Sequence, residues 1–242
     1  MSGTLLLRFA GPMQSWGTQS RFEVRDTGSE PSKSGVIGLL CAALGRPREE
    51  PVDDLAALRL GVRVDREGRQ ERDYHTAGGT HLVGDTYGVA LVTGGVGVAP
   101  PSRRYYLADA DFLVGLEGED ESLLATLARA VEEPQWQLCL GRKAFVPGIP
   151  VYVPGGLLAG VGMEAALRDY PWPRPDLTVP APERRPDSLR LVLETAGDRG
   201  EDVRRDQPVG AAFLDRRFAP RYVTTKFLKL GDEVPLREER EE

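Results

Sequence analysis

The stretch PSKSGVIGLLCAALGR, residues 31–46, decides the fold, because a helix here lies between two strand-like runs and starts a β-α-β order. Val36, Ile37, Leu40, Cys41 and Leu44 recur at helical spacing. Gly45 can close the helix and Pro47 cannot continue it, so the spacing predicts a helix over Lys33–Leu44. Lys33 and Ser34 stand at its mouth, where unpaired backbone N–H groups and the helix dipole attract anions. A nucleotide-binding P-loop is excluded, since it needs glycine directly before the lysine and Ser32 stands there. Two readings remain for this end: a phosphate site, or a plain N-cap by Ser32 with Lys33 in solvent.

Working outward, Thr4–Phe9 (TLLLRF) reads as a strand and Arg59–Val64 (RLGVRV) alternates as one. Gln70–His75 and Tyr105–Val114 are further strand candidates. Leu124, Leu127, Ala128 and Val131 carry a second helix over Asp120–Glu133, stopped by Pro134. Trp136, Leu138 and Leu140 alternate as a closing strand. The order β-α-β-β-α-β is that of an α+β, ferredoxin-like core, a topology shared with RNA-recognition modules. Residues 1–147 are expected to form it.

Two parts fall outside that core. Residues 76–102 form a long insertion with seven glycines and a single charged side chain, Asp85. It reads either as a hairpin packed on its own domain or as an arm ordered against a partner. Residues 148–242 read as a smaller β-rich lobe behind a proline-rich connection (YPWPRPDLTVPAPERRP, residues 170–186), with strands at Leu189–Glu194 and Arg221–Leu230.

The 242 residues carry a net charge of −6, which argues against a freestanding nucleic-acid binder. The charge is uneven. Residues 1–110 hold thirteen basic and thirteen acidic side chains, while residues 111–145 hold three and seven. A basic face must therefore be local, and a chain of this charge would bind RNA best as one member of a complex. Cys41 and Cys139 sit in apolar runs without repeated spacing, as buried thiols of a reducing cytosol would. There is no apolar run of bilayer length, no signal peptide and no metal-ligand spacing, so no membrane, metal or cofactor is expected.

Four stretches then accumulate: LLLRFAGPMQSWG (residues 5–17), RFEVRDTGSEPSKSGVIGLLCAALGR (21–46), RDYHT (72–76) and LGRKAFVP (140–147). Together and in this order they resemble the Cas-five family of CRISPR Cascade subunits, in its type I-E form. The resemblance implies a ferredoxin-like core with a projecting β-hairpin thumb, which residues 76–102 would supply. It implies binding of the repeat-derived 5′ handle of the CRISPR RNA, between the large subunit and the terminal backbone subunit of Cascade. Target DNA would be met only through the complex. In type I-E complexes another subunit cuts the precursor RNA, whereas the type I-C relative is itself a metal-independent endonuclease. A non-catalytic RNA-binding subunit is thus expected, with endoribonuclease as the alternative.

The candidate RNA-binding residues follow the same stretches. Gln14 and Trp16 follow the first strand, and Trp16 is either a stacking face for a base or a core tryptophan. Arg21 and Arg25 flank Phe22 and could pair phosphates bidentately. Lys33 and Ser34 mark the helix mouth. Arg103 and Arg104 close the insertion beside Tyr105 and Tyr106, a pairing suited to unpaired RNA. Gly141, Arg142 and Lys143 combine close backbone approach with two cations. His75 is either a structural histidine, an RNA contact or, under the alternative, the base of a metal-free nuclease.

Overall fold

Gly3–Ala10 (β1) is buried along its whole length, as a strand with leucines on both faces should be. In the computed structural model, residues 2–18, 23–76, 82–83, 86–90, 96–98, 101–172, 186–195, 197 and 199–236 are described. After β1 come Met13–Gln14 (β2), Val24–Arg25 (β3), Lys33–Leu44 (α1), Asp53–Ala56 (α2), Arg59–Arg66 (β4) and Arg69–Thr76 (β5). The insertion holds Leu82–Val83 (β6), Thr86–Ala90 (β7) and Val96–Val98 (β8). Pro101–Ala108 (β9), Asp111–Gly118 (β10), Glu121–Glu132 (α3) and Tyr152–Leu158 (β11) follow. The rest is Met163–Asp169 (α4), Ser188–Thr195 (β12), Asp202–Pro208 (β13), Ala212–Asp215 (α5) and Phe218–Lys229 (β14).

The architecture is mixed α/β, dominated by antiparallel sheet. Seven strands run in the order β11-β1-β10-β4-β12-β14-β13, every neighbouring pair antiparallel. The alternation of β1 sorts its side chains onto two cores. Leu5, Leu7 and Phe9 face α1 and α3, with Val36, Ile37, Leu40, Leu124 and Leu127. Leu6 faces α4, with Met163, Leu167, Leu191 and Leu193. Each such side chain contributes roughly 1.5–3 kcal/mol by leaving water.

A second, four-stranded sheet stands beside the first. β9 pairs antiparallel with β2 and β5 and parallel with β3. β6, β7 and β8 form a small antiparallel sheet beyond the β5–β9 hairpin. Among the described residues, no helix is long and apolar enough to cross a membrane.

Both core helices fall where periodicity puts them. Ser32 caps α1 by accepting from the Gly35 N–H, and Gly45 closes it in the left-handed conformation. Asp120 caps α3 through the Leu123 N–H. Two strand expectations need correction. Tyr105–Val114 is not one strand: the chain turns at Asp109, which has φ of 57°, and β9 and β10 enter different sheets. Trp136–Leu140 is not a strand either. The Gln135 and Trp136 N–H groups are spent on the Ala43 and Ala42 carbonyls at the end of α1, and the position beside β1 goes to β11. The late strands β12, β14 and β13 extend the same sheet through β4, with Val192 opposite Val62. The connection at 173–185 and the tail at 237–242 lie outside the described residues.

Candidate nucleic-acid interface

The mouth of α1 is filled by the chain's own carboxylates. The Lys33 N–H donates to Asp206 Oδ2 at 2.7 Å, and Lys33 Nζ donates to Glu194 Oε1 at 2.8 Å. Arg221 ties both acids together, 2.7 Å from Asp206 and 3.8 Å from Glu194. Lys33 is 1% exposed. Burial pushes its ammonium below the usual lysine value, and Glu194 pulls the other way. The residue is thus an internal clasp between α1 and the C-terminal strands, at the place expected to contact phosphate, and the anion at this helix end is Asp206.

Gln14 and Trp16 are likewise internal. The Gln14 amide nitrogen donates to the Phe9 and Ala110 carbonyls, and its oxygen accepts from the Trp16 indole. Trp16 is 1% exposed and stacks on Phe9 with ring centroids 5.4 Å apart. α1 rests on the tryptophan at Gly35, where a Cβ would come within 2.8 Å of the ring. The GPMQSWG stretch therefore builds the floor of a site rather than its contacts.

The arginines that stay near the surface converge beside this floor. β3 lies parallel to β9 with Arg25 opposite Arg104, and Asp73 of β5 is opposite Arg104 on the other side. Arg142 reaches in from the 140–145 loop. Its Nη2 donates to the Tyr105 carbonyl at 2.8 Å and to the Arg25 carbonyl at 3.4 Å, and its guanidinium lies 5.5 Å from the Phe145 ring centroid. Burial lowers its pKa from the ordinary arginine value. The Arg104 and Arg25 charges add to that, against Asp73 and Asp26. Three like charges held this close are stabilised by a bound anion.

Gly141 makes the approach possible. It has φ of 91°, and a Cβ there would sit 1.8 Å from the Ser15 carbonyl oxygen. Only glycine lets the loop press on the chain after β2 and present Arg142 inward. Arg25, Asp26, Gly141, Arg142 and Ser34 line one open cleft of about 270 Å³ together with Trp16, Phe213 and Phe218.

The remaining candidates scatter. Arg103 precedes Arg104 on β9, so strand alternation sends it to the opposite face, beside the exposed Tyr74. Lys143 is exposed on the same loop as Arg142. His75 is two residues along β5 from Asp73, with Nδ1 3.8 Å from the Asp73 carboxylate. Arg21 lies outside the described residues. Among the described residues, no group of three or more His, Cys, Asp or Glu side chains could hold a metal ion. Phe213 and Phe218 were missed by sequence reasoning, because nothing local in FLDRRF (213–218) links it to loops so much earlier in the chain.

The family described as CRISPR-associated protein (Cas_Cas5) matches residues 4–224 of this chain. The CRISPR system Cascade subunit CasD of Escherichia coli (strain K12) is 34% identical over 184 residues, covering 70% of this chain and 78% of that protein. A solved structure described as the crystal structure of a Cas protein is 44% identical, with a TM-score of 0.72, covering 97% of this chain and 98% of its own. A chain of a CRISPR RNA-guided surveillance complex is 33% identical, with a TM-score of 0.71 and coverage of 93% and 90%.

Proposed function

This chain belongs to the CRISPR-associated Cas5 family, and from that premise we propose that it is a non-catalytic subunit of a Cascade surveillance complex that holds the 5′ handle of the CRISPR RNA. The observation that carries the reading is that Arg25 and Arg142 line one cleft, with Arg104 a charged neighbour of Arg142, in a chain of net charge −6. A local cationic face on an acidic protein suits a phosphate backbone presented by a larger assembly.

The order β11-β1-β10-β4, with α1 and α3 packed on one face, supports a ferredoxin-like core. In this reading residues 1–147, completed by β11, handle the RNA. Residues 76–102 are the thumb, reaching toward the RNA and the backbone subunit. Residues 148–242 extend the core sheet, the chain joins the large subunit to the backbone subunits, and target DNA is engaged by the assembled complex. The protein works in the cytoplasm, where the RNA is.

The test is to co-express the chain with its operon products, isolate the complex and crosslink it to its RNA. Crosslinks from handle nucleotides to peptides bearing Arg25, Arg104 or Arg142 are expected. Crosslinks from this chain only to spacer nucleotides, or none, would overturn the reading.

A further inference from the structure

The proposed RNA site has a part that the arginines do not explain. Its far wall comes from α5 and the start of β14, which carry Phe213 and Phe218. Phe213 packs over α1, its ring 3.5 Å from where a Cβ on Gly38 would be. Phe218 is 41% exposed, although it sits in a strand opposite Pro208. It lines the same cleft as Arg25 and Arg142, so an aromatic face is open to water beside two cations.

The shape limits what the cleft can hold. Its volume of about 270 Å³ is just under the roughly 300–1,000 Å³ of pockets that enclose whole small ligands. Its open form suits one residue of a chain that continues at both sides. Its lining brings the cations of Arg25 and Arg142, with Asp26 beside them, together with the rings of Phe213 and Phe218. Ser34 adds a hydroxyl to the lining, beside the Ser32 hydroxyl that caps α1. Phosphate on one side and a π-face on the other is the pattern of a single unstacked nucleotide.

We propose that this cleft takes one flipped-out nucleotide of the RNA, its phosphate against Arg25 and Arg142 and its base on the phenylalanine wall, with Phe218 as the stacking face. The inference rests on the RNA-binding reading above and gives the C-terminal half a direct part in RNA recognition. It also implies tolerance of base identity, since every base has a π-face, and dependence on a base being present.

The experiment pairs a protein change with an RNA change. Binding of the full chain to fluorescent repeat-derived RNA is measured by anisotropy, with each nucleotide in turn replaced by an abasic one. At one position the abasic RNA should bind the unaltered chain roughly 5- to 150-fold more weakly, the range expected for losing one stacked base. Phe218→Ala should lose a similar factor with intact RNA and be insensitive to the abasic change at that position alone. Phe218→Tyr should restore both binding and sensitivity. Circular dichroism checks that the Phe218→Ala variant is folded. If the chain binds RNA and no abasic position couples to Phe218, the nucleotide subsite is wrong while the RNA-binding reading stands. If the unaltered chain, alone and within its complex, binds no repeat RNA, both fall.

Discussion

The mouth of α1 and the cleft a few residues away look alike in sequence, each a cation beside small residues, yet their charges are balanced differently. At the helix mouth Lys33 and Arg221 are matched by Glu194 and Asp206, all with little exposure. At the cleft the main charged neighbours of Arg142 are other arginines together with Asp73 and Asp26. At the mouth each cation is matched by a carboxylate within an ion pair, whereas at the cleft three arginines, Arg25, Arg104 and Arg142, stand with two aspartates, Asp26 and Asp73. The first group fastens α1 to the C-terminal strands, and the second is the group proposed to hold RNA phosphate.

Breaking the internal group should have the largest effect, and on stability. Asp206→Ala leaves Arg221 buried without its closest partner and the Lys33 N–H without its acceptor. A loss of about 3–5 kcal/mol is expected, read from urea unfolding. Lys33→Met, which keeps most of the stem and removes the charge, should leave the salt dependence of RNA binding unchanged. A reduced dependence would return Lys33 to the RNA site.

The next effect sharpens the contrast through pH. Glu30 bridges Arg190 at 2.8 Å and Arg204 at 3.3 Å, fixing the loop before α1 onto β12 and β13. Burial pushes its carboxyl up, but the Ser29 hydroxyl and Arg190 outweigh that and hold it below its ordinary 4.5. The stability it contributes is therefore full above that ordinary value and is lost as pH falls through the lowered folded value. Glu30→Gln should cost about 1.5–3 kcal/mol at neutral pH and flatten the acid limb of a stability–pH curve. An acid limb unchanged in the variant would deny Glu30 this role.

Gly141 is where the two regions' logic meets, because its backbone serves the cleft. Gly141→Ala should cost about 1–3 kcal/mol for the backbone conformation alone. Displacing the loop also moves Arg142, so RNA affinity should fall together with the melting temperature. Unchanged affinity in the folded variant would show that Arg142 does not need its present position. Lys143→Ala should do least. The side chain is exposed and can reach at most one phosphate, worth about 0.7 in the slope of log affinity against log salt for single-stranded RNA.

Much of the fold was legible because it is local. Ser32, Gly45 and the apolar spacing between them delimit α1, and Asp120 and Pro134 delimit α3. The register was not legible. Trp136, Leu138 and Leu140 alternate like a strand, but their segment caps α1, and the sheet position is taken by β11, which holds Gly155 and Gly156 and has weak alternation. The site was half legible for a related reason. Arg25, Gly141 and Arg142 line one cleft. Whether Lys33 faces water depends on Glu194 and Asp206, and the aromatic wall depends on Phe213 and Phe218. All four come from strands and a short helix far along the chain, and no spacing rule reaches them. Arg103 and Arg104 show a simpler limit, since neighbours on one strand cannot serve one face.

The most direct test of the arginine site is the salt dependence of repeat-RNA binding by the triple variant Arg25→Ala, Arg104→Ala, Arg142→Ala. Every phosphate that the variant no longer neutralises should lower the slope by about 0.7, so a drop on the order of 2 is predicted, with urea unfolding showing a chain that still folds. A slope equal to that of the unaltered chain would contradict the claim that these arginines hold the RNA.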